Sequence, residues 1–423
     1  MEIFLTVSVF IEIFLLAWIE KRMWKTYFTP LNFLIAPYAV ALVVTLVVEG
    51  RFGIVPFYYP SLIPWILGMP IFAVPSWILF VLTHKKNLSL PPVKQKEDGA
   101  LSWKIILAYI IGVFLGIWLL VLLNTADCQI GSERFGHLFA GAGFTGHLLV
   151  IGMALLLFLS ASLQKVRKHP VFRFDRNNLL MKCVLLLLLF FLVVYQTKSW
   201  ILLPLIAAFL TYLISDRIKL KISHLIGVVA AGAGVFFLSY LLIYFSGNTL
   251  FPESSTLGAQ LKSISGLWVH YVTSGTFGLS MDMQNGILEP CQWRYLFPPF
   301  LGIPADGNIP EWFHTGLNFT NVRTLIGSIY IFSGPAGFSF FVFGLSTVCY
   351  LFFDLYRKTK HFYALLLYAW LCTVLFMGWF DSYLSLLNTY EIPFWLLVFY
   401  GIDTLCERKR RQPQEKPIFT GSK

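Results

Sequence analysis

Long apolar runs separated by short polar segments recur along the whole chain, without the strict alternation of a half-buried strand. Residues 3–19, 31–48, 62–82, 105–123, 148–163, 179–195, 200–214, 225–244, 335–353, 362–380 and 392–405 each form such a run. Backbone polar groups in lipid must be satisfied within the segment, so runs of this length, about 18 to 25 residues in the usual case, predict membrane-crossing helices. The third run carries Pro64, Pro70 and Pro75 and is expected to be kinked or interrupted. The segment RFGHLFAGAGFTGH, residues 134–147, is too apolar for an ordinary loop and is expected to dip back against protein or a cavity.

Composition fixes the class. With 57% hydrophobic and 13% charged residues in 423, the chain reads as one all-α polytopic membrane domain over residues 1–423, with about 11 transmembrane helices. The net charge of +11 would suggest nucleic acid in a soluble protein, but the cations sit in short loops between apolar runs, so no nucleic-acid partner is expected. They form a ladder: Lys21, Arg22 and Lys25, then Arg217, Lys219 and Lys221, then Arg357, Lys358 and Lys360, then a basic tail over residues 406–423. That ladder predicts an outward N-terminus and a cytoplasmic C-terminus. The first apolar run has no basic segment before it and no small-residue cleavage site, and so reads as an uncleaved anchor.

Six cations fall on the minority side: Arg51, Arg134, Lys198, Lys262, Arg294 and Arg323. Charge bias sets orientation, so these six need a separate reason to exist. The six cysteines show no metal-ligand spacing; most read as small core residues, and a Cys128–Cys291 disulfide stands as an option in an oxidising compartment. No Asp-x-Asp or HExxH motif lies in the outward loops, so no metal and no cofactor are expected. Glu12, in the middle of the first run, is costly in lipid and is a functional candidate on that ground, with burial against a neighbouring helix as the plainer account.

The longest outward stretch, residues 246–324, sits between the eighth and ninth helices and is dense in aromatics, Gly and Pro. Within GLWVHYVTSGTFGLSMDMQNG, residues such as Trp268, Tyr271 and Phe277 suit either an interfacial helix covering a cavity or a loop packed on helix ends. Its last part contains Asn321, Val322 and Thr324, followed by Gly334 and Gly337, and Lys198 opens an apolar helix after a tight turn. In these features the chain resembles the oligosaccharide repeat unit polymerases, the Wzy-type O-antigen polymerases. It departs from them in carrying Lys at position 198, where Arg is common, and Arg at position 323, where an aromatic is frequent. The topology of nearly the whole chain shares in the resemblance, whereas the specific motifs cover about a tenth of it.

The resemblance implies a GT-C type glycosyltransferase fold in the bacterial inner membrane, with the long loop periplasmic. It implies transfer of a glycan from undecaprenyl diphosphate to a hydroxyl of another lipid-linked repeat unit, beside membrane lipids, a flippase and a chain-length regulator. Fixed cations should meet the anionic leaving group, and Arg grips phosphate oxygens in pairs where Lys is a point charge. Arg294 and Arg323 are therefore the first catalytic candidates, with His270, His314 and Glu289, beside Asp282, Asp306 and Glu311, as candidates for taking the hydroxyl proton. Lys198, Arg51, Trp268, Tyr271 and Asn321 are expected to bind substrate. Two other readings stay open: an O-antigen ligase, for which His314 speaks, and a flippase, against which the long loop speaks.

Overall fold

The computed structural model describes every residue except 52, 85–99, 127, 129–132, 142, 167–175, 196, 216–256, 291, 293–294, 298–311, 317 and 412–423. The protein is an all-α polytopic membrane protein. Seven of its described helices are long and apolar enough to cross a membrane: α1 (Glu2–Trp24), α2 (Pro30–Val48), α3 (Ile63–His84), α4 (Ala100–Thr125), α5 (Phe144–Val166), α9 (Leu325–Thr359) and α10 (Phe362–Phe376). Two shorter apolar helices, α6 (Arg176–Tyr195) and α7 (Lys198–Ile214), add to these. So do α8 (Leu257–Gln284), which is less apolar, and α11 (Leu387–Arg411), which ends in a charged turn. The expected span over residues 225–244 lies outside the described residues.

Two apolar cores share helices α7 and α10. Side chains of α1, α2, α3, α8 and α9 fill most of the first, and those of α4, α5, α6 and α11 most of the second, while α7 adds Leu210, Leu213 and Ile214 to the first and Leu203, Ala207 and Ala208 to the second. Helix α10 serves both: Leu365, Tyr368, Ala369 and Cys372 face one core, and Leu366, Leu367, Trp370 and Val374 face the other. A helix that is apolar all round belongs in an interior, and nearly every residue of α10 is buried.

The ends of the helices sort by charge. Glu20 of α1 accepts hydrogen bonds from Ser76 of α3 and from Tyr350 of α9, whose hydroxyl lies 2.8 Å away. Arg357 stacks over Trp24 at 4.6 Å. Close by in the chain order, fully buried Lys104 at the start of α4 bonds both oxygens of Asp403 of α11 at 2.7 Å. Lys21, Arg22, Arg357 and Lys358 thus occupy the last turns of α1 and α9, forming a basic end of the bundle.

Two expectations about helix continuity change. Helix α3 runs unbroken through Pro70 and Pro75. The break falls instead in α9, which begins at Leu325, ten residues before the expected start at residue 335, and kinks at Gly334, where φ is 69° and ψ is 170°. Pro335 cannot donate to the carbonyl of Ile331, and the kink removes the helical partner of Phe332. The amides of Glu289 and Gln292 bond those two carbonyls at 3.1 and 3.2 Å. In a straight helix Ile326 and Phe338 would be about 18 Å apart, yet a Cβ on Gly68 would lie 3.0 Å from the side chains of both. Residues 325–333 therefore fold back beside the longer leg as a short buried half-helix.

The Gly-rich segment after α4 packs rather than loops: Glu133–Gly136 forms a helical turn and His137–Gly141 a π turn, with Phe135 and Phe139 fully buried. Cys128 carries a free thiol, and Cys291 lies outside the described residues.

Candidate functional site

Opposite the basic end, four elements converge: the outer end of α2 with residues 49–62, helix α8, a two-stranded hairpin (β1 Phe313–His314, β2 Phe319–Thr320) and the half-helix of α9. Glu49 braces the loop after α2 by accepting hydrogen bonds from the Phe57 amide and the Tyr59 hydroxyl. The hairpin tip rests on that loop through the Val55 amide, which donates to the Thr315 carbonyl at 3.0 Å. Exposed Arg51 is carried on the same loop.

The segment over residues 266–286 is no loop: through Gln284 it forms the second half of α8, buried at every position over residues 273–280. Small side chains let it approach backbone directly: a Cβ on Gly278 would lie 2.0 Å from the Val322 carbonyl oxygen, and one on Gly275 would lie 2.3 Å from that of Phe380. Hydroxyls satisfy the remaining polar groups. Thr45 and Thr276 bond each other at 2.6 Å, and Ser280 accepts from the Tyr58 amide at 2.7 Å.

Asn321, Val322 and Thr324, the residues of the resemblance, are structural joints. Thr324 caps the half-helix by accepting from the Gly327 amide, and it also accepts from Trp65 Nε1, both at 3.2 Å. The Asn321 carbonyl accepts from Arg323 Nη1. Thr324→Ala should cost about 1 to 3 kcal/mol, read as a lowered thermal midpoint in detergent, because it orphans two buried donors at once.

Arg323 does not present its charge to the surface. It is 3% exposed and forks onto Asp282, Nε to Oδ2 at 2.5 Å and Nη2 to Oδ1 at 2.7 Å. The expected partner was the anionic leaving group. On its other side the Arg323 amide donates to Asp381, a carboxylate that sequence reasoning passed over because it follows an apolar run rather than lying in the long loop. Burial among protein atoms pushes the Asp381 carboxyl up to about 7, although hydrogen bonds from the Ser382 and Arg323 amides and the Arg323 charge pull the other way.

The two histidines meet at the hairpin. Buried His270 places Nδ1 3.1 Å from Thr315 Oγ1 and donates to the Phe319 carbonyl. Burial lowers its pKa, and the neighbouring His314 lowers it further, so the ring is neutral at pH 7. His314 is exposed, accepts from the Gly316 amide at 3.1 Å and stands edge-on to Phe319 at 4.8 Å. Tyr271 links the two groups: its ring is 5.8 Å from His270 and stacks on Phe380, next to Asp381, at 5.9 Å.

Of the remaining candidates, Trp268 is half-buried on α8 and Glu289 is held at the α9 break by its amide. Arg294, Asp306 and Glu311 lie outside the described residues, and Lys198 is described only as the first residue of α7. Arg134 is exposed on the turn before the π segment. Glu12 is half-buried on α1, with Oε1 lacking a partner among the described residues. No group of three His, Cys, Asp or Glu side chains among the described residues is placed to hold a metal ion.

The family of unknown function DUF6337 matches residues 53–409, which include α3 through most of α11 and every side chain of this cluster from residue 53 onward. The chain belongs to DUF6337. No curated protein and no solved structure matches it. The Asp282–Arg323–Asp381 arrangement and the broken α9 helix both fall within the DUF6337 region.

Proposed function

We propose that this protein is a membrane glycosyltransferase of the surface-polysaccharide polymerase kind, acting at the outer face of the bacterial inner membrane. The observation that carries this reading is the clustering of Asp381, Tyr271 and neutral His270 beside a broken helix, at the end of the bundle away from the basic helix ends. Broken helices in membrane proteins are tolerated where the irregular backbone is enclosed by protein or lines a cavity, and they recur at substrate sites. The chain's resemblance to repeat unit polymerases supports the same reading.

In this scheme the acceptor hydroxyl oxygen attacks the anomeric carbon of the donor glycan. Its proton passes to Asp381, and the bond from that carbon to the diphosphate breaks, with the electron pair leaving on the diphosphate. A carboxyl with a pKa near 7 is suited to this, since it is partly ionised at neutral pH and still a useful base. Tyr271 offers a stacking face for a sugar ring, and His270 offers hydrogen-bonding capacity without charge. Arg323 positions Asp381 through its amide and anchors the site, and Arg51, exposed on the loop after α2, can meet a phosphate.

Deleting the gene should leave single-repeat material and abolish the polysaccharide ladder on a gel. Asp381→Asn should reproduce that loss at normal protein level, with His270→Ala weaker. Loss of all attached repeats would indicate a ligase or flippase, and an unchanged pattern would sink the reading.

A further inference from the structure

A cavity lies where the first turns of α5 and α11 meet the last residue of α6 and the first turn of α7. Its volume is about 280 Å³, and His147, Asn388, Glu391, Tyr195 and Trp200 are among its walls. The π turn before α5 forms another wall, and Gly146 makes that approach possible, since a Cβ there would lie 2.7 Å from the Ala140 carbonyl oxygen.

Asn388 is 2% exposed, yet among the described residues neither its amide oxygen nor its amide nitrogen has a hydrogen-bond partner. Buried amides are nearly always paired, so one left open on both atoms at the wall of a cavity calls for a ligand that donates and accepts. Beside it Glu391 accepts from Trp395 Nε1 at 3.1 Å and holds His147 Nδ1 at 3.0 and 3.1 Å. In the neutral imidazole that contact fixes the proton on Nδ1 and leaves Nε2 as an acceptor, on a side chain that is 53% exposed. The Tyr195 and Trp200 rings meet at 4.8 Å and 67°, giving the cavity an aromatic wall. The Glu391 carboxylate in the lining, already held by His147 and Trp395, disfavours an anionic ligand.

We propose that this cavity is a carbohydrate-binding site, taking one uncharged sugar residue with its C–H face against Trp200 and its hydroxyls bonded to Asn388 and His147. Amide, imidazole and indole together match what a sugar ring offers: vicinal hydroxyls that both donate and accept, and an apolar face. The site's existence rests on the cavity's own chemistry, and its role as a subsite for the growing glycan rests on the function proposed above. Seven residues separate Asp381 from Asn388, so their Cα atoms are no more than about 25 Å apart, and one oligosaccharide could engage both.

The test uses full-length protein in detergent and saturation-transfer NMR, with methyl glycosides of common hexoses, 6-deoxyhexoses and N-acetylhexosamines as probes at millimolar concentration. Wild type should transfer saturation to at least one glycoside. Asn388→Leu and Trp200→Ala should each weaken that binding by about tenfold or more, an effect of about 1.4 kcal/mol, while Asp381→Asn leaves it unchanged. Asn388→Leu should be at least as heat-stable as wild type without ligand, because it removes two unpaired polar atoms from a buried site. No transfer from wild type to any glycoside, or transfer that survives both cavity substitutions, overturns the proposal. If Asp381→Asn still abolishes chain extension in that case, the polymerase reading stands without the cavity.

Discussion

Arg323→Ala is expected to destabilise the protein by about 3 to 5 kcal/mol, enough to lower its thermal midpoint sharply in detergent. Asp282 has no exposed surface, and removing its bidentate partner strips this buried carboxylate of two charge-assisted hydrogen bonds. The same truncation removes the Nη1 bond to the Asn321 carbonyl and the stacking of the guanidinium over Phe313, 5.7 Å away. Arg323→Lys should fare little better, since a point charge cannot reproduce the fork. The double variant Asp282→Leu/Arg323→Met should recover much of the stability, because a buried ion pair can often be replaced by apolar side chains of similar volume. That variant separates two roles. Retained chain extension would make Arg323 a brace alone, and a stable but inactive protein would show that its charge also serves the reaction. A single Ala variant within 1 kcal/mol of wild type would refute the buried-pair account.

This outcome bears on what was legible in the sequence. Apolar runs disclosed the helices well because lipid imposes one solution on them, and the described helices contain ten of the eleven expected runs, allowing for the shifted start of α9. Helix breaks were less legible. Three prolines in α3 drew attention, but neighbours can satisfy the groups that a proline frees, whereas Gly334 combines a φ of 69° with the proline that follows it. The aromatics of the long outward stretch suggested an interfacial helix or a loop packed on helix ends, and the Thr, Ser and Gly between them gave no sign of their role. Those residues are there for close packing, at Gly275 and Gly278 against backbone carbonyls and at Thr276 against Thr45. The minority-side cations singled out Arg323. They gave no hint of Asp282 as its partner, since that pairing depends on contact between residues 41 apart. Asp381 and Asn388 were missed for one reason: each lies at an ordinary-looking helix boundary and gains significance only from what surrounds it.

Stability and activity should respond to pH in opposite directions, and Asp381 is the cause. Its carboxyl is raised from 3.8 to about 7 in the folded protein, so between those values the native state holds a proton that the unfolded chain has released. Stability contributed by this group is therefore complete below about pH 4 and is lost as pH rises towards 7, by up to about 4 kcal/mol in total. Asp381→Asn mimics the protonated form at every pH, so its advantage over wild type in thermal midpoint should grow across that interval and level off above it. In the proposed scheme chain extension needs the ionised form, and in wild type it should rise as pH passes through about 7, where stability from this group is already spent. Parallel stability profiles for the two proteins would mean that Asp381 titrates as an ordinary carboxylate, and the proton would then have to pass to His270. A site that holds a carboxyl near neutrality destabilises the fold to obtain a base, which fits a cluster braced on one side by the Asp282–Arg323 pair and on the other by the packed half-helix.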